Sequence, residues 1–527
     1  MTAAWIRRLA LVSGVLTVVG LSTPAALADT SHARGTQYYV DCAGGHDSAS
    51  GLGAGQAWKT LAKVNSVVFQ PGSRITFKRG TTCDGTFAPK GSGTAGRPIT
   101  TGTYGWGAKP KIDAHGALAA VLLHNVEGWE VRDLDVSNEG PAPGDNDVRI
   151  GVFLQLEDFG VAHHLVVSGV DVHDVNGCDC RNPHTPDVSG AIVVKAGGTT
   201  EPSGFDDVVI ENNTLRHVDR QGIATSSDWE KRAQYPDGRG TTYVPITRLR
   251  IAHNYGEDIG GDAVGVYNAT DAVVEYNTFR GWAERAPSYT AALSAFNADG
   301  TVFRYNEVSY GHGSGPLPSA AYMTEHANLD TVFEHNLSRE NQGGMLVVCA
   351  DAGRPTDRTT VRYNISQNDF SNGYYPDFNG GTDPVGVITV ICLETGRVQV
   401  YGNTIYAPNA ERLLMNYTTD PLEFSDNIFV GRAGGSAFSD AYGIYDHNLY
   451  RNVTTVPAGD AHAVVADPKF TAPGLAADRQ DATGYRLRGG SPALSAGAAN
   501  PGVRDYFGYP VPPVRPNIGA YAGPAVR

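Results

Sequence analysis

The 527-residue chain predicts an all-β fold, a right-handed parallel β-helix with an N-terminal cap and a Pro- and aromatic-rich C-terminal cap. Three observations predict it. An asparagine closes one short apolar run after another, at Asn213, Asn254, Asn277, Asn306, Asn336, Asn364, Asn403, Asn427 and Asn448. The gaps between them are 41, 23, 29, 30, 28, 39, 24 and 21 residues, with no heptads between, which is the signature of stacked repeats. The runs, such as Val-Val-Glu-Tyr-Asn277 and Val-Phe-Arg-Tyr-Asn306, are short, rich in β-branched and aromatic residues, and bounded by Gly, Asn and Asp. They suit strands, whereas a helical-hairpin repeat would need two amphipathic helices in each unit. Abundant glycine (64 residues) and a low charged fraction (18%) agree with many tight turns. Asparagine suits such a corner because it tolerates left-handed backbone, and stacked asparagines can hydrogen-bond as a ladder.

The elements follow in order. Residues 1–28 read as a secretory signal: Arg7 and Arg8, an apolar stretch over 9–21, then Ala26-Leu27-Ala28 as a cleavage site. The protein is therefore expected to be secreted. Residues 29–120 read as an N-terminal cap and first strands, with a short helix within 58–64 and strands at 38–41, 74–78 and 99–101. A solenoid needs such an end to cover its open coil. Residues 121–453 form the β-helix. The shortest gaps set the minimal coil, and the long ones, 213–254 and 364–403, carry loops able to close one end of a groove. Residues 454–527 form the C-terminal cap, packed back on the solenoid.

Six cysteines in an exported chain suggest disulfides. Cys42–Cys83 and Cys349–Cys392 are the expected pairs; Cys178 and Cys180 are either a small-ring bridge or free thiols. The net charge of −14 argues against nucleic acid or an anionic membrane as partner. The expected partner is a polysaccharide or oligosaccharide, and the chain is expected to be a monomer.

The segments Tyr38-Tyr39-Val40-Asp41, Trp58-Lys59-Thr60-Leu61, the asparagine repeats, Gly490-Ser491-Pro492-Ala493 and Ile518-Gly519-Ala520-Tyr521 carry a resemblance. Together they resemble secreted bacterial right-handed β-helix proteins of the pectate-lyase-like superfamily. That resemblance implies carbohydrate-active proteins: lyases, glycoside hydrolases, epimerases and non-catalytic adhesins. The element Tyr310-Gly311-His312-Gly313 is similar to one in polygalacturonase-type hydrolases, but the companion Asn-Thr-Asp, paired-Asp and Arg-Ile-Lys elements are missing. It reads as a glycine-rich loop.

Glycoside hydrolysis needs two carboxyl groups about 5–10 Å apart, and coils stacked about 4.8 Å apart supply that spacing on neighbouring strands. The candidate catalytic residues are Glu325, Asp351, Asp262 and Asp228. Counting from the asparagines puts Tyr267, Phe296 and Glu325 at one outward position, where an apolar setting would raise the Glu325 pKa. His326, Asn268, Asn297, Tyr267, Phe296 and Trp229 are candidate substrate contacts, with Trp282 as a further stacking surface. The leading expectation is a glycoside hydrolase needing no cofactor. One alternative is a uronate lyase or epimerase using Lys195, Arg220 and Arg248, with Ca²⁺ as neutralising charge and Asp145-Asn146-Asp147 as a possible calcium turn. The other is a glycan-binding protein without catalysis.

Overall fold

The strand Val273–Glu275 buries Val274 and ends at Tyr276, whose φ is +56°. That left-handed residue turns the chain through a tight corner, and Asn277 follows it. Thr278–Trp282 then forms the second side, burying Phe279, and Thr290–Phe296 the third, burying Leu293 and Ala295. The next coil repeats the sides in parallel register, pairing Val273 with Val302, Thr278 with Glu307 and Thr290 with Ser319. Each strand alternates core-facing and outward residues because successive side chains point to opposite faces. Three sheets result, of 15, 14 and 11 strands among the described residues. This is a right-handed parallel β-helix, seen here in a computed structural model that describes residues 35–178, 189–286, 290–312, 319–370, 374–376, 382–392, 395–498 and 503–527. The signal segment 1–28, Cys180 and Gly313 lie outside the described residues.

Sheet pairing begins at Gln37–Val40, well before residue 121. A helix spans Leu61–Asn65, with the Thr60 hydroxyl accepting the Lys63 amide at 3.1 Å. Cys42–Cys83 and Cys349–Cys392 are bridged, and Cys178 is also in a disulfide.

The nine asparagines form one continuous buried ladder at the corner between the first and second sheets. Asn306 shows the pattern. Its Nδ2 donates to Asn336 Oδ1 (3.0 Å) and to the Val274 carbonyl (2.9 Å), while its Oδ1 accepts Nδ2 and the backbone amide of Asn277 (both 3.0 Å). The Val170 amide donates to Asn213 Oδ1 at one end, and Asp460 Oδ2 accepts from Asn448 at the other. One expectation is corrected here. The left-handed residue is the one before each ladder asparagine: Asn212, His253, Tyr276, Tyr305, His335, Tyr363, Gly402, Asp426 and His447. Turning the chain one residue earlier aims the asparagine amide along the stack, where it can bond to both neighbouring coils.

The tail departs from a simple end cap. Phe470, Tyr485, Ile518 and Tyr521 pack with Leu337, Ile365, Ile428 and Leu449 on the outside of the second sheet. Backbone amides of Ala520, Ala476 and Arg479 donate to Thr404, Gln367 and Glu307 in successively earlier coils. The tail thus straps several coils from the side.

Replacing Asn306 with Ala leaves the Val274 carbonyl and the amides of Asn277 and Asn336 short of buried partners. At about 1–3 kcal/mol for each unsatisfied group, a loss of about 3 kcal/mol or more is expected. Urea unfolding measures it; a change under about 1 kcal/mol would mean that water or relaxation replaces the missing amide.

Candidate active site

The third sheet presents an outward row in which Tyr267 pairs with Phe296. The pairing of Ala295 with Thr324 and of Thr324 with Val348 carries the row on to Glu325 and Cys349. The Glu325 amide still donates to the Ala295 carbonyl (3.1 Å), so the residue is placed by sheet pairing although it lies just past the strand Ser319–Thr324. Counting from the asparagines therefore placed these three residues in one row, as the register does. Tyr267 folds back over its own strand: a Cβ on Gly265 would lie 3.4–3.5 Å from the far end of the Tyr267 ring. The Tyr267 and Phe296 rings meet edge-on at 5.7 Å, and Phe296 meets His326 edge-on at 4.7 Å.

Glu325 sits among these rings. Burial lifts its carboxyl from 4.5 to about 8, the negative charges of Asp262 and Asp351 add to the rise, and Arg220 opposes it. The same burial and the same neighbours, Asp262 and Glu325, push the Tyr267 phenol up. A carboxylic acid that keeps its proton at neutral pH can donate it.

Asp262 is buried, and both of its oxygens are engaged. Oδ1 accepts the Ala291 amide (2.8 Å), and Oδ2 accepts Gln221 Nε2 (2.7 Å) with Arg220 3.4 Å away. It is a fixed negative charge within the electrostatic reach of Glu325. Asp351 is one coil beyond Glu325 and about two residues along, placing the backbones within about 8 Å at about 4.8 Å per coil and 3.3 Å per residue. Arg354 holds Asp351 Oδ2 at 2.6 Å, and His326 Nδ1 is 3.7 Å from the same oxygen. Burial pushes His326 down to about 4, and its Nδ1 makes no hydrogen bond.

Residues 228–245, inside the longest asparagine gap, wall this site. Arg232 ion-pairs with Asp299 at 2.6 Å and donates to the Ala327 carbonyl, tying the loop to later coils. Tyr235 meets Phe296 edge-on at 5.4 Å, Arg354 stacks over the Tyr235 ring at 5.1 Å, and Asp237 is 3.8 Å from Arg354. Tyr235, Asp237 and Arg354 were not read from the sequence. The length of the gap signalled a loop, but not the coils on which it folds.

Several expected site residues are structural instead. Asn268 and Asn297 are fully buried and left-handed; Asn297 Nδ2 donates to Asn268 Oδ1 (2.8 Å), and Asn268 Nδ2 to the Val244 carbonyl (2.9 Å). They hold the turn after the third sheet and face the interior. Trp229 is buried and donates to the Gly197 carbonyl (3.1 Å); Trp282 is buried and donates to Asn341 Oδ1 (3.0 Å). Neither ring is available for stacking on a sugar. Asp228 lies 3.4 Å from Arg239 at the root of the loop, coils away from Asp351. The lyase cations are not gathered, since Arg248 belongs to the first sheet and pairs with Asp206 (2.6 Å) while Lys195 lies on the third. Asp147 of the suggested calcium turn accepts the Gly144 amide (2.9 Å) and lies 3.7 Å from Arg149. Gly311 lies against the Trp282 indole, and His312 pairs with Glu284 (2.9 Å), so that motif serves packing. A cleft of about 510 Å³ between the second sheet and the tail, lined by Tyr406, Arg451 and Lys469 among others, contains none of the candidates.

Fold and site together define a parallel β-helix protein with a carboxyl-rich, ring-lined patch on its third sheet. No protein-family model matches the chain. It is similar to a lacto-N-biosidase from Bifidobacterium longum subsp. longum, at 24% identity over 590 residues covering 90% of this chain and 35% of the relative. The chain thus spans about a third of the length of the curated relative. Its fold is similar to crystal structures of GH136 lacto-N-biosidase from Eubacterium ramulus. The native protein aligns with a TM-score of 0.59 and 23% identity, over 72% of this chain and 65% of that one. The selenomethionine derivative aligns with a TM-score of 0.60 and 21% identity, over 79% and 67%.

The raised Glu325 pKa has a signed consequence. The folded state holds this proton up to about pH 8, whereas the unfolded chain releases it near 4.5. Its contribution is fully present below the unfolded value and is lost as pH rises through about 8. Between pH 5 and 8.5 the urea midpoint of the wild type is expected to fall relative to that of Glu325→Gln. Parallel curves would mean an ordinary carboxyl.

Proposed function

We propose that the chain is a glycoside hydrolase acting on an oligosaccharide, with Glu325 as general acid and Asp351 as its partner carboxylate. The observation that carries the reading is the Glu325 carboxyl lifted to about 8 beside a second carboxyl one coil away. Two carboxyl groups flanking a glycosidic bond are the usual requirement of the reaction. Glu325 gives its proton to the departing glycosidic oxygen as the C–O bond breaks. Asp351 either bonds to the anomeric carbon or takes the proton of the water that does. Arg354 orients Asp351, and Asp262 helps to keep Glu325 protonated. The exposed parts of Phe296 and Tyr267 offer ring surface to a pyranose.

The similarity to lacto-N-biosidases supports an oligosaccharide bearing a lacto-N-biose unit as substrate. The wall formed by residues 228–245 supports action near a chain end. We further propose export, with cleavage after Ala28. Sequencing the secreted protein should give Asp29 as its first residue; retention of Met1 would refute this.

The main test incubates purified protein with oligosaccharides ending in lacto-N-biose and with a panel of other glycans, followed by product analysis. Bond cleavage is expected for the first group; glycan retention without any cleavage would overturn the reading in favour of a binding protein. Glu325→Gln should lower kcat/KM by about 10²–10⁴-fold, with a smaller loss on an aryl glycoside whose leaving group needs no proton. Asp351→Asn should be impaired on both kinds of substrate. A fully active Glu325→Gln would remove the acid assignment.

A further inference from the structure

A second cluster of reactive side chains lies where the asparagine ladder ends, far along the stack from Glu325. Asp446 ends the strand Ile444–Asp446, the last in the order of the first sheet. His447 follows in the left-handed corner position, with φ +56°. His462 comes from the loop that closes the last coil. Asp460 places it: its Oδ2 accepts Asn448 Nδ2 as the final rung of the ladder (3.0 Å), and its Oδ1 accepts the His462 amide (3.3 Å).

The three side chains converge. Asp446 Oδ1 lies 2.8 Å from His447 Nδ1 and 2.7 Å from His462 Nδ1. The two imidazoles stack with centroids 4.1 Å apart and planes 23° apart. One ligand atom from each residue falls within 4.8 Å of the others. His447 Nδ1 is sealed from solvent, with the Asp446 carboxyl oxygen beside it. Both imidazole nitrogens converge on one carboxyl oxygen, so a single cation placed between them can be shared by all three groups.

We propose that Asp446, His447 and His462 form a binding site for a divalent transition metal, with Zn²⁺ the best fit. Two neutral imidazoles and a carboxylate are a ligand set that Zn²⁺ takes at about 2.0–2.2 Å, leaving a fourth position for water. Tetrahedral ligands at those bond lengths are about 3.4 Å apart, so small rotations of the present side chains suffice. Imidazole ligands favour zinc, copper or nickel over calcium or magnesium, which prefer all-oxygen shells. The metal takes the place of the proton shared between Asp446 and His462, so binding releases that proton. Its role is structural: it pins the closing loop to the last strand of the first sheet, at the end of the ladder.

The test uses the full chain, stripped with chelator, and ZnCl₂ as probe. Calorimetry at pH 7.5 should show one equivalent bound, and zinc should raise the Tm while CaCl₂ does not. The Co²⁺-loaded protein should show the visible absorption of a four-coordinate site. His462→Ala, at a largely exposed position, should weaken zinc binding by about tenfold or more and abolish the Tm shift. Asp446→Asn should do the same while retaining volume, which guards against misfolding of the other variant. No zinc bound to the wild type, or equal binding by His462→Ala and wild type, overturns the proposal. Neither outcome bears on Glu325, and loss of glycosidase activity leaves the metal result intact.

Discussion

The asparagine ladder is the constraint on which the rest of this molecule depends. Each amide bonds to the coils before and after it, through a corner whose backbone is the same every time. A buried amide without its partner costs about 1–3 kcal/mol, so an insertion at this corner would be penalised in two coils at once. Length variation is therefore driven elsewhere. The gaps of 21 to 41 residues differ because of the segments flanking the third sheet, such as 228–245. Loops collect along the edges of one sheet, and that sheet becomes the place where a site can be walled in.

The third sheet adds rigidity to that enclosure. Tyr267, Phe296 and Glu325 stand in one row because parallel pairing places them there, not because a loop holds them. The acid is lifted by burial and by two carboxyls whose own positions are secured, Asp262 by Gln221 and the Ala291 amide, Asp351 by Arg354. Electrostatics set by a framework of this kind are fixed before any ligand arrives. The tail contributes at a distance, strapping the second sheet and leaving the third uncovered by its aromatic cluster.

Much of the fold was legible because it depends on periodicity. The row of Tyr267, Phe296 and Glu325 could be counted from the asparagines, since strands alternate faces and parallel pairing preserves register. The site was legible only in part. Asn268 and Asn297 share composition with surface residues, yet their left-handed backbone turns them inward as a second, shorter ladder. Trp229 and Trp282 look like platforms in the sequence, but each indole donates within the protein interior. At a turn, one residue of rotation decides whether a side chain faces solvent or core, and residue type does not reveal that rotation.

By itself, the sequence determined the repeat, the coil length, the loop positions, two disulfide pairs and the outward placement of Glu325, all of which follow from local pattern and spacing. Only the tertiary structure decided which carboxyls reach Glu325, which asparagines are internal, and that Tyr235 and Arg354 meet across coils. It alone brought His462 to Asp446 and His447. Contacts between coils depend on where a loop lands and how a turn is rotated, and those are settled by packing against neighbours that the local sequence does not contain.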